Sequence, residues 1–370
     1  MSTLSNEAVA APERAAHRAA ALVPQLAAAE RDHDLAGRYA ADNIALAAGA
    51  GLLALNVPAD FGGLGEGLSG TVETLRILAQ GSPSTALMLT MHVAILANYL
   101  VDPAHVPAGE RPFFLEQRQW AFGEAVRGKI FAVANSEVGA GGNVKNSRAT
   151  AVDGRLNGVK SFCSMGTNAD YFMSAARDAA GQVEYYVIAN DPLHVRVESP
   201  WDAMGMRSSE SVSLRFDGAR IIAPLGYRGL LDGVNNRHWS TLAFTAIFIG
   251  IAESLLNEVT AQKSGILQQV GSVDLHLTLQ ACRGFLRHCV ESEPHPTDAA
   301  YRKLVRDAKL FVTRSLAQQA TAVYLAQGGS AYRFGSSLSR KLRDLLAGPA
   351  LRPPVGVSFD ELWMELRSEG

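Results

Sequence analysis

Apolar positions recur at spacings of three and four along the first third of the chain: Ala15, Ala19, Leu22 and Leu26, then Ile44, Ala48, Leu52 and Leu55. That spacing gathers them on one face of a helix. Gly49 and Gly51 weaken the second helix near its end. A Gly-rich turn, Pro58–Gly67, follows, after which Ser69 or Thr71 is expected to cap a helix with Glu73 in its first turn. Pro83–Ser84 is expected to open another, running to about Val101.

From Ile130 to about Pro224 the pattern changes to short runs rich in β-branched and aromatic residues, such as QVEYYVIA and VSLRFDG. Asp153–Gly154, Asn157–Gly158 and Asp217–Gly218 punctuate them as turns. With no helical crossover between strands, this reads as an antiparallel sandwich or barrel. Long helical patterns then return over Trp239–Lys263, Ser272–Glu291 and Ala299–Gln327, with a shorter one over Leu338–Leu346 before a Pro-rich tail. The expected fold class is α+β with three domains. Residues 1–128 form a helical domain, 129–225 a β domain, and 226–370 an antiparallel four-helix-type bundle.

Charge narrows the function. Lys+Arg is 34 and Asp+Glu 36, a net −2 with no basic stripe, which argues against nucleic-acid binding. Cys163, Cys282 and Cys289 have no paired spacing, so neither a disulfide framework nor a zinc site is expected, and a reducing cytoplasm fits. Met1–Arg14 has no signal-like apolar run, and Leu242–Ile251 is too short to span a bilayer, so no membrane segment is expected.

The segment Gly139–Val144, GAGGNV, imitates a dinucleotide-binding loop, but Val144 stands where the third glycine belongs and no strand–helix–strand unit surrounds it. His276, His288 and His295 show no metal-ligand pattern.

Five motifs in order are more informative. They are NVPADFGGLGEG at Asn56–Gly67, NSEVGAGGN at Asn135–Asn143, NGVKSFCSMGTNAD at Asn157–Asp170, MGMRSSES at Met204–Ser211, and Gly328–Asp344, which opens on Gly-Gly and closes on Arg-Asp. With the helical–β–helical order, they resemble the acyl-CoA dehydrogenase superfamily over nearly the whole chain. The resemblance implies a flavin, FAD with FMN as the alternative. Its ring would lie on the face of Phe162 and Ser164, two apart on one strand, with Ser164 near ring N5. Asn135 and Ser136 would meet its pyrimidine edge, and Gly141, Gly142, Gly328 and Gly329 would contact the cofactor. Cys163, between Phe162 and Ser164, points the other way and reads as packing.

Two departures stand out. The family's glutamate base falls at Gly335, and its other known position near Ser240; neither is a carboxylate. The arginine motif that contacts the FAD pyrophosphate falls at Gln262–Gln269, where Lys263 is the available cation. Both gaps are shared by the flavin monooxygenase branch, which the chain also resembles at Phe162–Ser164, Asn135–Ser136 and Trp201. In that branch a buried polar group hydrogen-bonds a flavin peroxide. His92, in the otherwise apolar helix LMLTMHVAILANYL, is the candidate, with Tyr99 on the same face. A histidine bonded within the core is the alternative. Trp201 and Arg207 are candidate substrate contacts, although Arg207 reads first as a structural ion pair or loop anchor.

Three readings follow: α,β-oxidation of an acyl thioester with hydride transfer to flavin N5, oxygen-using monooxygenation of a small aromatic or amino sugar, and a silent binding or scaffold relative. The first is kept in front by the closing segment SSLSRKLRDLLAGPALRPP. A small-molecule substrate, an electron acceptor or oxygen, and assembly as a homodimer or homotetramer complete the expectation.

Overall fold

The computed structural model describes residues 11–140, 142–262, 265–351 and 354–369. Among these residues five α-helices come first: α1 (Ala11–Ala36), α2 (Ala41–Gly49), α3 (Leu68–Gly81), α4 (Pro83–Ala97) and α5 (Arg111–Val126). Helix α3 begins at Leu68 with Gly67 as its cap, so neither Ser69 nor Thr71 performs that role. Ser82 caps α4, its hydroxyl accepting from the Thr85 N–H.

Seven strands follow: β1 (Phe131–Val133), β2 (Thr150–Val152), β3 (Arg155–Cys163), β4 (Tyr171–Arg177), β5 (Val183–Ala189), β6 (Val195–Ser199) and β7 (Val212–Pro224). Pairings β4–β2, β2–β3, β3–β7, β7–β5 and β5–β4 close a circuit, with β1 added beside β4 and β6 beside β7. Most pairs are antiparallel; β1 and β2 each meet β4 in parallel. Phe172, Phe216, Leu156 and Leu214 fill the interior.

The last helices are α6 (His238–Thr260), α7 (Ile266–Glu291), α8 (Ala299–Leu325), α9 (Ser337–Ala350) and α10 (Val355–Glu369). Helix α9 runs on through Pro349, and α10 occupies part of what the sequence presents as a Pro-rich tail. Helix α6 is long and apolar enough to cross a membrane, but 78% of its most apolar window is buried inside the protein. It packs on α3, α4, α7, α8 and α9, joining the first and last helical groups in one core. A Cβ on Gly250 would sit 2.1 Å from the Arg76 carbonyl oxygen, so only glycine permits α6 to approach α3 so closely.

Candidate functional site

The β barrel, α4, α6 and the end of α9 enclose a cavity of about 590 Å³. That volume suits a small-molecule or cofactor site. Leu87, Met91 and Ala94 on α4 and Phe244 on α6 make it largely apolar on the helical side. Asn135, Ser136, Ser161, Phe162, Ser164, Trp201 and Ser211 line the β side.

Phe162 is the centre of the β wall. The residue is 52% exposed, and its ring meets Trp201 edge-on at 6.1 Å between centroids. Its φ is +56°, a conformation a bulky residue rarely adopts. This kink coincides with a register shift in the β3–β7 pairing between Lys160 and Cys163. Phe162 and Ser164 therefore reach one cavity through an irregular strand end, with Ser164 already past β3, rather than through simple alternation. Cys163 is fully buried, and burial pushes its thiol up to about 12, as suits packing.

Ser164 is 4% exposed, and its hydroxyl lies 2.8 Å from that of Ser211, which lies 2.7 Å from that of Ser209. Asn135 accepts the Ala175 N–H through Oδ1 at 2.7 Å, leaving its amide N–H groups for other partners. The Ser136 carbonyl accepts the Ser161 N–H, stitching the Asn135–Ser136 loop to β3. Gly142 lies on the wall at φ +81°; Gly141 and Lys263 fall outside the described residues. Trp201 is held by its indole N–H, which donates to the Met206 carbonyl at 3.0 Å.

Among the described residues, the carboxylate on this wall is Glu137. Burial alone would raise its pKa, but Lys160, Ser147 and the Arg148 N–H bond it strongly enough to hold it at about 2. A carboxylate so committed does not serve as a base.

Several expected site residues lie elsewhere. His92 is fully buried, its Nδ1 accepting the Phe131 N–H at 3.0 Å and its Nε2–H donating to the Leu53 carbonyl at 2.6 Å. Burial, opposed by the Leu53 bond, lowers its pKa to about 4, so it is a neutral pin between α4, β1 and the 52–54 turn. Tyr99 is buried against Phe114 and Phe122, away from the cavity. Arg207 donates through Nε to the Asp34 carbonyl and through Nη1 to the Ala203 carbonyl, anchoring its loop outside the cavity. Gly335 sits beside Arg31 and Leu35 in the turn before α9, and Gly328 and Gly329 are exposed after α8; none lines the cavity of this chain. Glu253 is ion-paired with Arg76 and Arg283, also off the wall.

Arg237 and Leu351 also line the cavity and were not singled out from sequence. Arg237 donates to the Tyr185 hydroxyl at 3.3 Å, placing a cation at the wall just before α6. Ser240 is on the wall, but its hydroxyl donates to the Arg237 carbonyl. Leu351 closes one end, its carbonyl accepting from Lys309 Nζ at 2.9 Å.

Comparison with known proteins agrees with this architecture. Residues 13–104 match the model for the acyl-CoA dehydrogenase N-terminal domain. The amino sugar nitrososynthase DnmZ of Streptomyces peucetius is 27% identical over 358 residues, covering 90% of this chain and 87% of that protein. FMN-bound TdsC of Paenibacillus sp. A11-2, a dibenzothiophene monooxygenase, superposes with a TM-score of 0.82 at 23% identity, covering 96% of this chain and 98% of that one. Butyryl-CoA dehydrogenase of Megasphaera elsdenii superposes with a TM-score of 0.81 at 18% identity, covering 96% and 98%.

Proposed function

We propose that this chain, whose residues 13–104 match the acyl-CoA dehydrogenase N-terminal domain and whose fold is shared with butyryl-CoA dehydrogenase, is a flavin-dependent monooxygenase that binds a reduced flavin against Phe162 and oxidises a small aromatic or amino-sugar substrate. The carrying observation is the cavity wall itself. It joins a half-exposed aromatic ring to hydroxyl and amide groups, while Glu137, its carboxylate, is held ionised by Lys160.

The residues fit a flavin. Phe162 presents an apolar face to a planar ring, and Asn135, Ser136 and Ser164 offer polar groups to its rim. When bound, the reduced flavin supplies two electrons, so that one atom of O₂ goes to the substrate and the other leaves as water. The chain's own contribution is positioning and exclusion of water. Leu87, Met91 and Phe244 keep the opposite side apolar. Arg237, tied to Tyr185, is the cation available to a polar or anionic substrate group.

Dehydrogenation of an acyl thioester, the reading the closing sequence segment favours, requires a base at the α-carbon. Gly335 lies off the wall, Ser240 carries a hydroxyl already bonded to a carbonyl, and Glu137 is committed. Those placements favour oxygenation.

Subunit association is part of the proposal. Ile266, Leu267, Val270, Val273 and Leu277 form an exposed apolar stripe along α7, suited to a second copy of the chain.

The test begins with titration of the purified protein with FMN and with FAD, anaerobically. The flavin-loaded, reduced protein is then mixed with oxygen and a panel of aromatic amines, thioethers and amino sugars. A product one oxygen atom heavier supports the proposal. Bleaching of the oxidised flavin by an acyl-CoA without oxygen overturns it in favour of dehydrogenation.

A further inference from the structure

We propose that a relay of three serine hydroxyls fixes Ser164 as a hydrogen-bond acceptor toward the cavity, so that the site prefers reduced flavin over oxidised flavin. This rests on the flavin reading above and adds a redox preference to it.

The direction of the relay follows link by link. The Ser209 hydroxyl lies 2.8 Å from the Met206 carbonyl oxygen, which only accepts. A hydroxyl carries one hydrogen, so Ser209 spends its own there. The Ser211 hydroxyl, 2.7 Å from that of Ser209, must then be the donor across that contact. Ser164, 2.8 Å from Ser211, must in turn donate to it. Ser164 is left with lone pairs and no free hydrogen.

The relay is built to hold. Ser209 is fully buried, and Ser164 and Ser211 are buried but for the cavity they line. Met206 and Glu210 bracket the loop with φ of +51° and +46°, and the Met165 N–H donates to the Ser209 carbonyl at 2.8 Å, tying the loop to the turn after β3. The MGMRSSES segment thus sets the proton order at a residue in the turn after β3.

Flavin chemistry gives the order a consequence. Two-electron reduction protonates ring N5, turning an acceptor into a donor, while N3–H stays a donor and the C4 carbonyl an acceptor. Beside N5, where the resemblance places it, an acceptor-only Ser164 would pair with the reduced ring and would meet the oxidised ring lone pair to lone pair. A site that binds the reduced form more tightly also raises the potential of the bound flavin by the same factor.

Ser209 does not line the cavity, which makes it a positioning residue with a clean test. Dissociation constants for oxidised and reduced FMN, and the midpoint potential of bound FMN, are measured anaerobically for wild type, Ser209→Ala, Ser211→Ala and Ser209→Thr. Wild type should bind reduced FMN more tightly. Ser209→Ala frees Ser211 to donate to Ser164 and Ser164 to donate to N5. Its preference should fall by about tenfold, equivalent to a drop of about 30 mV for a two-electron couple. Ser211→Ala cuts the next link and should shift the ratio the same way, which keeps the test alive if Ser209→Ala folds poorly. Ser209→Thr restores the hydroxyl and should restore the ratio. An unchanged ratio and potential in both alanine variants overturns the relay while leaving the flavin reading intact. Failure of wild type to bind flavin in either state overturns both.

Discussion

Lys160 Nζ lies 2.6 Å from Oε1 of Glu137, with both side chains buried in the barrel wall that bounds the cavity. The ammonium also donates to the Ala175 carbonyl and the Ser147 hydroxyl, and the carboxylate accepts the Arg148 and Ala149 N–H groups. The pair ties β3, β4 and the 137–149 loop into one frame that positions Asn135 and Ser136.

Glu137→Gln should therefore be a stability variant. It leaves a buried ammonium without its counter-charge, which costs about 3–5 kcal/mol. Urea unfolding at neutral pH checks the loss. The pH dependence has a definite sign. Glu137 is held at about 2 against a usual 4.5, so its contribution is full above 4.5 and falls as pH drops toward 2. That acid-side slope should shrink in the variant.

The helical–β–helical order was legible because periodicity changes abruptly near residues 130 and 230, and the Phe162–Ser164 wall was legible from its motif. His92 was not. Helix α4 is buried on nearly every face, so a polar residue within it carries no sign of which way it points. Both His92 ring nitrogens turn to backbone groups distant in sequence, while Met91, its neighbour, reaches the cavity. The turn carrying Gly335 was misplaced because a spacing count cannot reveal where a loop lands in space. Helix α10 was hidden by the prolines that precede it. The serine relay crosses two segments 47 residues apart, and only folding joins them.

His92→Ala should destabilise without weakening flavin binding. It strands the Phe131 N–H and the Leu53 carbonyl in the core, at about 1–3 kcal/mol each. The wild-type histidine, lowered to about 4 from 6.5, is buried neutral. The unfolded chain binds its proton first, so stability is full above 6.5 and declines as pH falls toward 4. Thermal melts across that window should show the decline in wild type and its loss in the variant. Weaker flavin affinity at unchanged stability would place His92 in the site after all.

Ser164→Ala should leave the melting temperature nearly unchanged and weaken the reduced flavin. One rim hydrogen bond is worth about 0.5–1.5 kcal/mol, a loss of roughly two- to tenfold in affinity. Fluorescence titration under anaerobic conditions reads it directly. Equal affinity in the variant would remove Ser164 from the rim.

Phe162→Gly separates binding from folding by making them move in opposite directions. At φ +56° a phenylalanine carries about 1–2 kcal/mol of backbone strain, which glycine does not share. Phe162 is 52% exposed, so its loss removes little core packing, although glycine's greater freedom in the unfolded chain costs about 0.4–1 kcal/mol. Stability should therefore hold or rise slightly. Flavin affinity should fall, because the face proposed to carry the ring would be gone and Trp201 would lose the edge contact that steadies it. A variant that melts earlier yet binds flavin as wild type does would show Phe162 to be a packing residue, and the strain at its backbone would then serve the fold rather than the site.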